Sequence, residues 1–291
     1  MSQSHATRWE HFKGLLFQFF PHHLISRLTY WATRQPLPFT SSIIKVFIKH
    51  FNVDMHDALN EEITHYKTFN AFFTRELKPN ARPLDNNDQA ILSPCDGRIS
   101  QFGIIDDHHL IQAKGKTFTL NEFLTSSCQY THAFTDGHFC TIYLSPRDYH
   151  RVHMPCAAQL MEMIYVPGRL FSVAPYAPKT IDKLYARNER VISIFKSAQG
   201  YMASVMVGAV NVAAIEMVWE GLITPPHLST AVHYDYSDKN ITLNKGEQMG
   251  TFNMGSTVVL LFSKDTLTFS DILYNHKPVK LGQRLGIINT K

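Results

Sequence analysis

The densest group of side chains that could carry out acid–base chemistry lies in residues 143–155, YLSPRDYHRVHMP. His150 and His153 stand three residues apart there, among two arginines and an aspartate. Imidazole exchanges protons near neutral pH, and guanidinium groups bind anions through forked hydrogen bonds. The segment therefore indicates a proton-transfer site that accepts an anionic substrate. A polar loop held together by ion pairs is the alternative, and this segment alone does not decide between them.

The same histidine pair does not predict a metal site. Histidines at i and i+3 could bind a metal ion, but no HExxH pattern and no third ligand of suitable spacing is present. The four cysteines lie at positions 95, 128, 140 and 156, without a CxxC pair. We therefore expect four free thiols, as in a cytosolic protein, and no metal.

An acid and a nucleophile are found elsewhere in the chain. Asp96 precedes Gly97 after a proline, which is foremost a turn signal at the start of a strand. Gly255-Ser256 leads into the apolar run 258–262, and glycine admits backbone conformations that other residues avoid. No GxSxG motif is present, which excludes an α/β-hydrolase. Asp96, His153 and Ser256 could supply one acid, one base and one nucleophile.

The secondary structure predicted around these residues changes along the chain, from helices to strands. Residues 1–75 are predicted to be helical, with breaks at Pro21 and at Pro36/Pro38 and a further helix at Asn60–Thr74. Short β-type runs begin after residue 91. The sequence therefore predicts an α+β fold, with N-terminal amphipathic helices followed by an antiparallel β-rich domain. The predicted strands are Arg98–Ile105, Phe139–Leu144, Ala158–Val166, Arg190–Phe195, Met202–Val207, Val210–Trp219, Thr257–Phe262 and Thr266–Ser270.

Charge is unevenly distributed between the two parts. The whole chain of 291 residues has a net charge of +4, too small for a dedicated nucleic-acid binder. Residues 1–53 hold six basic side chains and one acidic one, a net +5, and the remainder has 22 basic and 23 acidic, a net −1. No apolar run reaches the roughly 18 residues that a membrane span needs, and the polar start does not suggest a secretory signal.

The basic N-terminal part is also amphipathic and aromatic. Apolar residues recur at near-helical spacing in 12–20, 24–33 and 43–51, beside basic residues. This pattern is typical of helices that lie on an anionic membrane surface, because apolar burial and charge attraction add together. The alternative is that these helices cover the protein core or a dimer interface.

Several motifs occurring in one order give the sequence a specific resemblance. From about Phe69 to Gly286 it resembles the bacterial, membrane-associated phosphatidylserine decarboxylases, and the N-terminal helices resemble them more loosely. The motifs are FFTRELKP with Ala81-Arg82-Pro83, SPCDG at 93–97, residues 143–155, VPGRLFSV at 166–173, LYARNERV at 184–191, and 250–257. Met254 stands where the family usually has leucine, and Ala213-Ala214 where Gly-Ser is expected. The second departure puts in doubt a substrate contact by a serine at 214, but not the chemistry.

The resemblance implies that the chain cuts itself. The Ser256 hydroxyl would attack the carbonyl of Gly255, and the resulting ester would eliminate to break the chain. His153 would take the proton, and Asp96 would orient and charge-balance the imidazole, so that these residues form a maturation triad. The products would be a β chain, 1–255, and an α chain of 36 residues (291 − 255), Ser256–Lys291. We expect them to stay associated as a heterodimer and to dimerise further.

The resemblance also implies a cofactor and a substrate. Ser256 would become a covalent pyruvoyl group, which forms a Schiff base with the amine of phosphatidylserine and draws off electrons as CO2 leaves. His150 would donate a proton or position the substrate. The product would be phosphatidylethanolamine, made by a peripheral enzyme on the cytoplasmic face of the cell membrane.

Two further expectations accompany this interpretation. Residues 1–75 would be the membrane-docking segment and 76–291 the pyruvoyl decarboxylase domain. Two other functions stay open at this point: a decarboxylase of another serine-headgroup lipid, and a non-catalytic membrane-binding protein.

Overall fold

A computed structural model describes residues 7–10, 21–113, 115–210, 214–225, 228–253 and 256–289. Helices dominate the N-terminal part of the described chain, and antiparallel sheets dominate the remainder, so the predicted α+β class is confirmed. The motif 12–20, Ala213, and the Met254-Gly255 pair lie outside the described residues.

The prolines mark the helix boundaries. Helix α1 begins directly after Pro21, and α2 begins two residues after Pro38, because proline lacks the amide that a continuing helix needs. Short helices occur later within the β-rich part. The α-helices are α1 His22–Thr33, α2 Thr40–Phe51, α3 Phe69–Phe73, α4 Leu120–Leu124, α5 Ala177–Thr180 and α6 Leu184–Arg187, with 3-10 turns at Ile63–His65 and Thr131–Phe134.

The single helix predicted at Asn60–Thr74 is wrong. The segment forms only the 3-10 turn at Ile63–His65 and the short α3. Thr68 between them is extended, and its hydroxyl accepts a hydrogen bond from the Ala71 amide, 3.1 Å away. An N-cap residue has an extended backbone, so a helix that begins before Thr68 cannot continue through it. The capping bond of the Thr68 side chain therefore explains the break in the predicted helix.

A small aromatic core lies where α2 and α3 meet. Ile44, Phe72 and Phe73 are fully or almost fully buried there, and Phe47 packs edge-on against Phe69 at 5.1 Å between ring centroids. One face of α2 therefore covers this core.

The domain boundary between residues 75 and 76 stays a prediction.

The strands lie close to their predicted positions. One prediction needs correction: among the residues of Val210–Trp219 that the structure describes, 215–217 form a strand, and 218–220 turn into the next strand. The strands are β1 Ala90–Leu92, β2 Gly97–Ile104, β3 His109–Ala113, β4 Lys116–Thr119, β5 His138–Leu144, β6 Arg151–His153, β7 Ala158–Val166, β8 Arg190–Lys196, β9 Tyr201–Val207, β10 Ile215–Met217, β11 Gly221–Thr224, β12 Val232–Asp235, β13 Thr242–Leu243, β14 Gln248–Phe252, β15 Ser256–Phe262, β16 Leu267–Phe269, β17 Pro278–Val279 and β18 Arg284–Ile288.

A nine-stranded antiparallel sheet forms the main core. Its order is β12-β7-β8-β9-β15-β5-β2-β17, with β13 also paired to β7. Strand β15 lies between β9 and β5 and is buried at every position. A strand covered on both faces is apolar throughout, and this explains the unbroken run VVLLF.

A second sheet carries the segments next to the candidate site. Its order is β11-β10-β14-β6, so β14 lies between β10 and the strand that contains His153. The chain leaves this sheet after Phe252 and enters the large sheet at Ser256.

The described helices include none long and apolar enough to span a membrane. All four cysteines are buried and free, as the sequence predicts.

Candidate active site

Ser256 is the first residue of the central strand β15 and pairs with Leu144 of β5. Its side chain is completely buried, and its hydroxyl has no hydrogen-bond partner in the described structure. A buried polar group without a partner costs about 1–3 kcal/mol, and Ser193, Ser204 and Thr257 share this property in the described structure, so the place of Ser256 at the entry of β15 is what distinguishes it. Gly255, the other half of the predicted cleavage site, lies outside the described residues.

The loop between β5 and β6 holds His150 in one orientation. The Asp148 carboxylate accepts hydrogen bonds from both the backbone amide and the hydroxyl of Ser145, each at 2.7 Å. Nδ1 of His150 lies 2.7 Å from the carbonyl oxygen of Asp148. A carbonyl can only accept, so Nδ1 carries the hydrogen and Nε2 carries the lone pair.

Burial makes His150 a neutral base. The residue is fully buried, and burial lowers the pKa of His150 to about 3, although the bond to the Asp148 carbonyl opposes the shift. The charge of Arg75 lowers it further. Phe73 covers the imidazole, with 4.1 Å between ring centroids, and Nε2 has no hydrogen-bond partner among the described residues. The arrangement therefore provides a free lone pair inside the protein.

Backbone pairing brings His150 and Ser256 to adjoining strand ends. The amide of Phe252, at the end of β14, donates to the His150 carbonyl at 2.9 Å. Four residues later Ser256 pairs with Leu144, at the end of the strand that leads to His150. The segment that includes the predicted cleavage site is thus anchored on both sides of 253–255.

His153 is the last residue of strand β6, three residues after His150. Its Nδ1 donates to the Gly246 carbonyl at 2.9 Å, and its Nε2 faces the Tyr149 hydroxyl at 3.5 Å. Burial lowers the pKa of His153, and the charge of Arg151 lowers it further, whereas the Gly246 bond and, more weakly, the charge of Asp96 raise it. Burial also raises the pKa of Tyr149 to about 12, so its hydroxyl keeps its proton at neutral pH.

Asp96 is bound by an arginine. It lies just before β2, as the turn signal predicts, and is 7% exposed. Arg82 donates to it through Nε at 2.8 Å and Nη2 at 2.6 Å, and the Leu281 amide donates at 2.9 Å. Asp96 thus acts on His153 through its charge, and the two side chains share no hydrogen bond in the described structure.

Arg82 is a site residue whose role was not predicted from the sequence. It also donates to Asp57 at 2.6 Å, and these bonds raise the pKa of Arg82 even though burial alone would lower it. In the sequence it stands only as part of the motif Ala81-Arg82-Pro83, without a role of its own. The partners lie 14 and 25 residues away, and no local pattern relates them.

The site residues line two open cavities. One, of about 560 Å³, is lined by Asp96 and Asp148 together with the cationic Arg98, Arg147 and Lys280. The other, of about 380 Å³, is lined by Tyr149, Arg151 and His153, among others. Ser256 and His150 line neither cavity, since both side chains are fully buried. The described residues contain no group of three or more His, Cys, Asp or Glu side chains placed to hold a metal ion.

Acid is expected to destabilise the chain through His150. The folded pKa is about 3 and the unfolded pKa about 6.5, so between these values only the unfolded chain binds the proton. The free energy of unfolding should therefore fall as pH falls through this window, by about 2 kcal/mol between pH 6.5 and 5. Urea unfolding of Ser256→Ala and Ser256→Ala/His150→Gln at both pH values tests this. The double variant should lose less stability between the two pH values than Ser256→Ala alone.

The chain thus has an α+β fold in which two fully buried residues, His150 and Ser256, lie at adjoining strand ends. The phosphatidylserine decarboxylase family profile matches residues 69–287, and a profile described as PSD matches residues 12–52. The chain belongs to the phosphatidylserine decarboxylase family.

Curated relatives agree over almost the whole chain, and each is called a phosphatidylserine decarboxylase proenzyme. The relative from Alkalilimnicola ehrlichii is 54% identical over 261 residues, 89% of this chain and 91% of its own length. The relative from Stutzerimonas stutzeri is 49% identical over 269 residues, 91% of each chain. The relative from Vibrio cholerae O395 is 46% identical over 267 residues, 90% of this chain and 94% of its own. The predicted family is confirmed.

Proposed function

We propose that this chain cleaves itself before Ser256 and then converts phosphatidylserine to phosphatidylethanolamine and CO2 at a membrane surface. The observation that carries the proposal is the Ser256 hydroxyl, buried without a partner at the entry of the central strand. Family membership supplies the reaction, and the word proenzyme in the relatives' names supports processing.

The chain's own residues suit the cleavage step. The Ser256 hydroxyl attacks the Gly255 carbonyl, and its proton passes to a neutral imidazole, His153 in this proposal. The Asp96 charge favours the protonated imidazole, because an opposite charge stabilises a cation. The peptide C–N bond between Gly255 and Ser256 then breaks, and the imidazole returns the proton to the Ser256 nitrogen, which leaves an ester. Loss of the α-proton of residue 256 expels the Gly255 carboxylate, and hydrolysis of the new terminus releases ammonia and leaves the pyruvoyl group.

The position of Ser256 also fits a covalent pyruvoyl group. After cleavage the group would stand at the end of β15, enclosed by β9 and β5, without a competing hydrogen bond. The α chain would hold β15 to β18, of which β15, β17 and β18 pair with strands of the β chain in two sheets. These pairings would keep the two chains associated as a heterodimer, which we propose dimerises further.

During decarboxylation a pyruvoyl group supplies an electron sink. His150 positions the substrate and relays a proton in this proposal. Because the imidazole is neutral, its free Nε2 accepts a hydrogen bond from the protonated amine of the serine headgroup and orients that amine. The amine gives up this proton only as it reacts, and Nε2 relays it to the carbon that has lost CO2, so that the imidazole is neutral before and after the cycle.

The exposed faces of α1 and α2 support membrane docking. Large apolar side chains point to solvent along both helices and the turn between them, close to basic residues. They are Leu24, Leu28 and Trp31, then Leu37 and Phe39, then Ile43 and Val46, with Arg27, Lys45 and Lys49 beside them. The buried faces of these helices cover the core, which is one of the two alternatives drawn from the sequence. Membrane binding, the other alternative, needs only the opposite, exposed faces. We propose that the exposed side binds the anionic cytoplasmic face of the membrane.

Removing two of these side chains is expected to weaken vesicle binding. Trp31 and Val46 are 64% and 68% exposed, and a fully buried apolar side chain gains about 1.5–3 kcal/mol. Trp31→Ser/Val46→Ser should therefore bind anionic vesicles at least about tenfold more weakly in a flotation assay. Ile272→Ser, also at a 64% exposed position, is the matched control and should bind like the unaltered chain. Equal binding by all three would contradict the docking face.

The reaction itself is tested with defined lipids. Purified protein should release CO2 from vesicles containing phosphatidylserine and form phosphatidylethanolamine. Serine-headgroup lipids on a different backbone, given in parallel, measure the substrate preference. The absence of CO2 from phosphatidylserine would contradict the proposed reaction.

A further inference from the structure

One carboxylate oxygen joins the segment before the predicted cleavage site to the first described long helix. Oε1 of Glu216, on β10, accepts a hydrogen bond from Nδ2 of Asn253 at 3.1 Å. The same oxygen accepts from Nη2 of Arg34 at 3.5 Å. Asn253 directly follows β14 and stands three residues before Ser256.

Asn253 is held on several sides. It is 1% exposed, and its backbone amide donates to the Ala214 carbonyl at 2.9 Å. Its side chain approaches the same carbonyl at 3.4 Å in addition to Glu216. Strands β10 and β14 lie close together, since a Cβ at Gly250 would come within 2.8 Å of the Glu216 carbonyl oxygen. The carboxylate is thus set beside Asn253 by the backbone of its own strand.

Arg34 is held as well. It follows the last residue of α1, and its guanidinium carbon lies 3.7 Å from the Tyr30 ring centroid. Its Nη1 also approaches the Tyr30 carbonyl at 3.4 Å. The Glu216 side chain is 43% exposed, so the ion pair adds little stability, but it limits the directions that the carboxylate can take.

We propose that Glu216 is a positioning residue for self-cleavage, acting through Asn253, and that Arg34 connects this position to α1. This inference rests on the proposed cleavage before Ser256. The Ser256 hydroxyl can attack the Gly255 carbonyl only if Asn253 and Ser256, the two ends of this short segment, are both held in position. Pairing with Leu144 holds the Ser256 end, and Glu216 holds the Asn253 end. A shift of about 1 Å in a reacting group can lower a rate on the order of a hundredfold.

Cleavage rates of full-length chains made by pulsed cell-free synthesis test the proposal. Glu216→Ala is expected to cleave about tenfold more slowly, because Asn253 loses its anchor. Glu216→Gln keeps an oxygen that can accept from Asn253 and should stay within about threefold of the unaltered rate. Arg34→Ala should slow cleavage about two- to fourfold, because the Glu216 carboxylate loses the ion pair that limits its orientation. Glu62→Ala and Lys196→Ala, at exposed positions of matching charge, should cleave normally.

A stability measurement separates positioning from misfolding. In a Ser256→Ala background, Glu216→Ala should unfold within about 5 °C of the parent, since the lost contacts are partly exposed. Equal cleavage rates in Glu216→Ala and the unaltered chain would overturn the inference, and so would Glu216→Gln cleaving as slowly as Glu216→Ala. An unaltered chain that never cuts before Ser256 would instead overturn the proposed function.

Discussion

Ser256→Ala is expected to stay a single chain of 291 residues and to release no CO2 from phosphatidylserine. The hydroxyl is the only atom group that the substitution removes, and both the cleavage and the later pyruvoyl group depend on it. The unaltered chain should separate on a denaturing gel into fragments of 255 and 36 residues (255 + 36 = 291).

Ser204→Ala is the matched control for this substitution. Ser204 lies on β9, pairs with Leu260 of β15, is fully buried, and also has a hydroxyl without a partner in the described structure. It should cleave and react like the unaltered chain, because its hydroxyl stands beside no predicted cleavage site. Two fragments from Ser256→Ala would refute the cleavage site, since no other residue is proposed as the nucleophile.

Substitution of the two histidines is expected to separate cleavage from decarboxylation. His153→Ala should stay uncleaved, because the proposed base for the Ser256 proton is gone. His150→Ala should cleave but decarboxylate at least about a hundredfold more slowly, which is the usual contribution of a positioned acid–base group. Gel analysis and CO2 release, measured on the same preparations, give the two results independently.

The control for the histidine pair is His56→Ala, at a side chain that is 90% exposed. It should leave both activities unchanged. An uncleaved His150→Ala protein would contradict the division of roles and would make the buried, free Nε2 of His150 the base for cleavage instead. That outcome would still leave Ser256 as the nucleophile.

The strands were predictable where burial dictates composition. The run after Ser256 is apolar on both faces of β15, and the run 158–166 matches β7 residue for residue. The segment 60–74 was not predictable in the same way. Its apolar spacing suits a helix, but the Thr68 side chain competes for the backbone amide of Ala71 and starts a new helix there.

The candidate site was predictable only in part for a related reason. His150 and His153 share one short segment, so their spacing is visible in the sequence. The bonds that tune them join distant segments: Arg82 to Asp96, His153 to Gly246, and Asn253 to Glu216. Such contacts follow from the sheet order, which a single sequence does not reveal. The roles of Asp96, His150, His153 and Ser256 stay predictions. Because Asp96 is hydrogen-bonded to Arg82 and not to His153, its predicted role is narrowed to the effect of its charge on the His153 imidazole.

The uneven charge of the sequence corresponds to one region of the fold. Among the described residues, Arg27, Lys45 and Lys49 lie on helices that also expose apolar side chains, whereas the β-rich part holds the site. This separation supports a docking surface and a reaction site on different elements. The contact of Phe73, on α3, with His150 links the helical part of the chain to the site.

Conversion of Ser256 during self-cleavage is open to direct measurement through the mass of the purified, denatured protein. We expect a fragment of 36 residues, 256–291, that begins with a pyruvoyl group in place of serine and resists Edman degradation. Its partner should be the fragment 1–255 with an intact Gly255 carboxyl terminus. An intact chain of 33.3 kDa with CO2 release from phosphatidylserine, or a fragment that begins with an unmodified Ser256, would show that Ser256 is not converted in this way.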